Sequence, residues 1–153
     1  MLRISKLTDY GTVVLAELAN GQPGLASAAE VASVTGIGLA TVSKLLKALA
    51  KAGLVSSSRG SHGGYRLARP AAQISAANVI DALEGPVSIT ECSANDSHCD
   101  YESVCNVGSA WQRINVAIRR ALDDISLDDL LRSNSPVPQF EFAGMPINVE
   151  QKS

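Results

Sequence analysis

Between Ser5 and Ala19 the apolar residues Leu7, Tyr10, Val14, Leu15 and Leu18 recur at three- and four-residue intervals, the spacing of one face of a helix. Asn20-Gly21 and Pro23-Gly24 end that pattern. A second helix is predicted to begin near Ser27, with Glu30 three residues on as its capping-box partner, and to stop at Gly36. A third opens around Gly38–Leu39 and runs to Ala52, with Gly53 as its cap. Leu39, Val42, Leu45, Leu46 and Leu49 mark its inner side; Thr41, Ser43, Lys44, Lys47 and Lys51 mark its outer side.

The period then changes. Leu54–Ser58 and Tyr65–Ala68 read as two short strands joined by the tight, glycine-rich turn "RGSHGG". "PAAQ" is a break, and residues 75–84 form a short helix ended by Gly85-Pro86. Further on, Trp111, Ile114, Ile118, Ala121 and Ile125 alternate three and four apart, an a/d seam over about two heptads. "SLDDLL" adds a last turn capped by Ser126. The stretch from Ser133 is rich in Pro, Asn and Gly and reads as a flexible tail. The pattern divides the chain into a part at 1–70, a second at 71–132 and the tail at 133–153.

Composition supports a mainly α protein, since hydrophobic residues make up 46% of the chain but aromatics only 4%, leaving a core of Leu, Ile, Val and Ala. No stretch reaches the roughly 18 apolar residues of a membrane span, and the start lacks the marks of a secretory signal. The expectation is a cytoplasmic protein with no membrane partner. No nucleophile–base pair, phosphate-binding loop or dinucleotide fingerprint is present, so no enzyme activity is expected.

Net charge is −2, an unpromising value for a nucleic-acid binder, but its distribution changes the picture. Residues 1–70 hold eight Lys/Arg against three Asp/Glu, a net +5; residues 71–153 hold five against twelve, a net −7. A basic first part joined to an acidic remainder suggests that one meets phosphates and the other meets protein or metal. Helix, glycine-containing turn, helix and hairpin is the order of a winged helix-turn-helix, whose second paired helix enters the major groove of double-stranded DNA. Here that helix would offer Thr41, Ser43 and Lys44 to base edges or nearby phosphates, with Lys47 and Lys51 further along for the backbone. The wing would bring Arg59 and His62 against DNA from between glycines. The plain alternative is that the three lysines form a solvated helix face; the hairpin and the +5 balance favour DNA.

All three cysteines lie in one polar segment, "TECSANDSHCDYESVC", spanning Thr90 to Cys105. Free cysteines ordinarily occupy buried apolar positions, so this gathering asks for a chemical reason. Thiolates suit zinc or iron–sulfur clusters. The spacing Cys92-x6-Cys99-x5-Cys105 lacks the short knuckle of structural zinc sites and matches the wrapping of a larger cluster better. A zinc-stabilised DNA-binding protein, a metal-free thiol switch and a cluster carrier serving other enzymes stay open as alternatives.

Taken together, "SKLTDYG", "TVSKLLKALAKAGLV", "RGSHGGYRLARP", "VIDALEGP" and the three-cysteine segment resemble the IscR/NsrR-type (Rrf-type) bacterial transcription regulators over about residues 1–132. Within that family the sequence is most similar to the branch that regulates the SUF iron–sulfur assembly operon. The resemblance implies a homodimer of winged helices with a long C-terminal dimerisation helix, its contact being the Trp111–Ile125 seam. It also implies a 2Fe-2S or 4Fe-4S cluster on Cys92, Cys99 and Cys105, sensed by a regulator, most simply a repressor. One position departs from the pattern: IscR-type regulators carry a histidine three residues after the third cysteine, where this chain has Gly108. The fourth ligand is then expected elsewhere. Asp9, from the first helix of a partner subunit, ranks first; His98 is second because neighbouring Cys99 makes joint binding awkward, and Glu91 and Asp100 follow.

Overall fold

The computed structural model describes residues 3–21, 23–89 and 107–132, together with the backbone of 140–142 and 145–147. Helix α1 spans Lys6–Asn20, and the Ser5 side chain accepts from the Thr8 N–H at its start. Helix α2 covers Ala28–Thr35 and opens with the expected capping box, Glu30 and Ser27 each accepting from the other's backbone N–H. Gly36 ends it in the left-handed region, φ 73°, where any side chain would be strained. The chain then turns by 120° into α3, Leu39–Lys51. That crossing is the geometry of a helix-turn-helix.

Strands β1 (Val55–Ser58) and β2 (Gly64–Leu67) pair antiparallel, with Val55 opposite Leu67 and Ser58 opposite Gly64. The turn between them requires glycine at Gly63, because a Cβ there would collide with the Ser58 carbonyl oxygen. A single bridge adds the α1–α2 connection to the wing: the Ala26 and Tyr65 N–H groups each donate to the other's carbonyl, at 2.9 and 2.8 Å. The wing base is thereby tied to the helical core.

A 3-10 turn at Ala71–Gln73 occupies the stretch read above as a simple break. It leads into α4, Ala76–Leu83. Helix α5 spans Gly108–Asp124 and α6 spans Leu127–Leu131, with Ser126 and Asp129 forming the capping box of α6. The starts of α4 and α6 are stitched together: the Ala76 N–H donates to Ile125 (2.8 Å) and the Leu127 N–H to Ile74 (2.7 Å). Ile74, Val79 and Leu127 consequently bury in the same core as Val14, Leu45 and Leu49. In the segment read as a flexible tail, β3 (Phe140–Phe142) and β4 (Met145–Ile147) pair as an antiparallel hairpin.

The inner side of α3 needs one correction. Val42, Leu45, Leu46 and Leu49 are fully buried, but Leu39, placed with them by periodicity, is 51% exposed. It heads the helix, beyond the end of the core that its spacing alone would put it in. Ile125 likewise lies past the end of α5, in extended conformation. No single described helix is long and apolar enough to cross a membrane.

Candidate nucleic-acid interface

The buried face of α3 fixes its exposed face. With Val42, Leu45, Leu46 and Leu49 held in the core, Lys44, Lys47 and Lys51 stand in solvent and Thr41 and Ser43 are half-buried on the flanks. Arg59 and His62 are exposed at the wing, where Ser61 Oγ and His62 Nδ1 lie 3.1 Å apart. Among the described residues, the ion pairs involve only Arg119 and Arg132 as cations. No acid among the described residues thus neutralises the lysines of α3 or the wing arginine, as a phosphate-binding surface requires. Glu30, the acid on neighbouring α2, is occupied by its cap, which holds its carboxyl below the ordinary range through the Ser27 backbone N–H and then the Ser27 hydroxyl.

Two cations not singled out from sequence belong to the same half. Arg66 Nε donates to Ser56 Oγ (3.4 Å) across the wing, and Arg69 Nη2 donates to Asn78 Oδ1 (3.0 Å). Both have neutral partners and line an open cleft with Leu18 and Pro70. Strand alternation could have placed Arg66 on the outer face of the wing; nothing local foretells the Arg69–Asn78 contact.

Asp9 lies in the first turn of α1 and is exposed, with no side-chain hydrogen bond or ion pair to a described residue. Its neighbour Thr8 is 2% exposed and donates its hydroxyl to Glu84, which also accepts the Ser5 N–H at 3.0 Å. These bonds, Thr8 first, lower the Glu84 carboxyl from its ordinary value. Glu84 ends α4, so the start of α1 is pinned to the point where the chain departs toward the cysteine segment. Cys92, Cys99 and Cys105, with Glu91, His98 and Asp100, fall outside the described residues. Among the described residues no group of three or more His, Cys, Asp or Glu could hold a metal. Gly108, where the resemblance would place a histidine, is the first residue of α5.

Helix α5 meets the rest of the molecule mainly along α4. Arg119 clamps the two, its guanidinium reaching both Asp81 carboxylate oxygens at 2.6 and 2.9 Å and Asp123 at 3.3 Å. No residue of α5 is buried, and Trp111 and Val116 are 41% and 47% exposed. Between α5, α4 and α1 runs an open apolar groove of about 490 Å³, lined among others by Ile4, Ile80, Ile118 and Leu122, with Asp9 on its wall.

Comparison with known proteins agrees with this geometry. The model of the Rrf2 family, described as iron-dependent transcriptional regulators, matches residues 4–133. The chain is 32% identical over 139 residues to the protein rrf2 of Nitratidesulfovibrio vulgaris, covering 90% of this chain and 93% of that one. Among solved structures it resembles CymR, the global cysteine regulator of B. subtilis (32% identity, 88% and 100% of the two chains, TM-score 0.66). It also resembles IscR of T. potens (28% identity, 93% and 95%, TM-score 0.64).

Proposed function

We propose that this chain, which belongs to the Rrf2 family of transcriptional regulators, is a homodimeric regulator whose DNA binding answers to an iron–sulfur cluster held by Cys92, Cys99 and Cys105. Family members bind DNA and regulate transcription; they are not enzymes. The observation that carries the DNA-binding role here is the row of unpaired cations on α3 beside the wing, with α3 turned 120° from α2. Thr41, Ser43 and Lys44 would meet base edges or nearby phosphates; Lys47, Arg59 and His62 would meet backbone and minor groove.

Dimerisation is supported by α5. A seventeen-residue helix with exposed Trp111 and Val116 and an open apolar groove beside it leaves apolar surface that a second copy would cover. Paired recognition helices would then read two half-sites about one helical turn apart, so small rotations of the subunits change affinity.

The donor set fits a cluster. Three thiolates are the soft ligands such a group takes, and Asp9 offers a carboxylate with no competing partner among the described residues. A bound cluster would supply sensitivity to iron and oxidants. The chain supplies the linkage: Asp9 follows Thr8, Thr8 is bonded to Glu84, and α1 packs directly on α3. Regulation of SUF-type cluster assembly, by repression in the cytoplasm, is the role that fits this chemistry.

The test is anaerobic purification followed by visible absorption, iron and sulfide analysis, and DNA affinity with and without the cluster. Coloured protein with iron and sulfide, and different affinities for the two forms, is expected. Colourless protein after reconstitution removes the cluster, and equal affinities remove the sensing. The likeness to the B. subtilis cysteine regulator favours a second reading, in which the regulator answers to cysteine supply without a cluster. Protein free of iron and sulfide, or holding zinc alone, would turn the assignment away from cluster sensing.

A further inference from the structure

The first turn of α3 contains an unused apolar surface. Leu39 is 51% exposed and Ala40 beside it is exposed, whereas the four apolar residues that follow on the inner side are fully buried. A single exposed leucine on a protein surface is ordinary. This one stands where a helix-turn-helix brings its recognition helix to the base edges, at the amino-terminal end. The fold does not need it there: Ile37 before it and Val42 after it pack with the core, and Leu39 does not.

The same turn is poor in polar readers. Arg and Lys pair with guanine, and Asn and Gln with adenine, through two hydrogen bonds each in the major groove. From Gly38 to Ser43 none of these residue types occurs; Lys44 is the first. The hydroxyls of Thr41 and Ser43 are on half-buried flanks. Gly38 contributes no side chain ahead of Leu39 and no side-chain cap, so the polar groups at this end are backbone N–H groups, which suit phosphate rather than a base edge. Beside the half-buried Thr41 hydroxyl, the exposed side chains of the turn, Leu39 and Ala40, present methyl groups. The one feature of the major groove that matches them is the C5-methyl of thymine.

Resting on the DNA-binding role of α3, we propose that Leu39, assisted by Ala40, selects thymine by packing against its methyl group under the first turn of the helix. Lys47, Lys51 and the wing supply affinity that ignores sequence; Leu39 supplies discrimination at one position in each half-site. The ligand is thus a base step that carries thymine under the first turn.

The experiment selects duplexes from a random library with the full-length protein, then replaces each thymine of the selected site singly by deoxyuridine, which removes only the methyl. Loss of about fourfold in affinity at one thymine per half-site is expected, the ratio for burying one methyl group. In Leu39→Ala the thymine-to-uracil ratio at that position is expected to fall toward one, with an unchanged circular-dichroism melt because the side chain is outside the core. Native protein that tolerates every replacement overturns the proposal, and so does a ratio that Leu39→Ala leaves intact. Enrichment of no duplex at all overturns the DNA-binding role and this proposal with it; enrichment with tolerance overturns only the proposal.

Discussion

Helices α3 and α5 are built on the same plan and end in different circumstances. Both carry an apolar stripe at three- and four-residue spacing with charge on the other side. The thirteen residues of α3 include three completely buried leucines and one valine; the seventeen of α5 include no buried residue. For α3, helices α1, α2 and α4 and strand β1 all supply facing surface. For α5, α4 is the main neighbour, fixed by the charged Arg119–Asp81 contact. The difference teaches that amphipathicity states a need for cover and leaves open where the cover comes from. The half that holds α3 meets that need within one chain; in the proposed dimer, α5 would meet it with a second.

The largest effect expected from this contrast is on DNA affinity. Ile118→Asp, in the apolar groove beside α5, should convert a dimer to a monomer in sedimentation and lower operator affinity by about 100-fold or more, since the gain from two linked half-sites disappears. A variant that stays dimeric and binds normally would show that α5 does not need a partner. Next, Leu45→Ala should cost about 2–5 kcal/mol in unfolding, because the side chain is fully enclosed and its removal leaves a cavity. Trp111→Ala on α5 should cost much less in the monomeric background, and a reversal of that order would break the contrast outright.

A smaller effect sharpens the role of the exposed face of α3. Lys47→Ala should weaken binding to all duplexes alike and reduce the salt dependence of log affinity by about one. Sequence-selective weakening would move Lys47 from backbone to base contact. The smallest effect is at the joint between the two regions. The Glu84 carboxyl is lowered from its ordinary 4.5 by the Thr8 hydroxyl and then the Ser5 N–H, which bind its charged form in the folded state. Its stabilisation is therefore complete above the ordinary value and lost as pH falls through the lowered one. Glu84→Gln should lose the stabilisation at neutral pH and show a shallower drop in melting temperature between about pH 6 and pH 3 than the native chain, as read by circular dichroism.

Much of the fold is legible because its signals are local. Ser27 and Glu30 stand three apart, Gly36 and Gly53 follow helix ends, and the wing is two short strands around a glycine-rich turn; the structure places each within a residue or two of expectation. The candidate interface was legible for the same reason, since Lys44, Lys47 and Lys51 fall opposite the buried stripe. Contacts between distant segments were not. The bridge joining Ser75 to Ser126, the Arg69–Asn78 bond and the pinning of Ser5 and Thr8 by Glu84 pair residues with no sequence relation, and only packing brings them together.

The order of residues by itself determined the helices, the wing, the basic half and the gathering of the cysteines, because capping, glycine conformation, periodicity and charge act over a few neighbouring positions. Tertiary structure alone decided which apolar stripe is covered. Leu39 and Leu46 lie seven residues apart on adjacent stretches of one helix face, yet one is half in solvent and the other sealed. Periodicity sets the direction a side chain faces; burial depends on whether another element stands opposite, and that is settled by the whole chain.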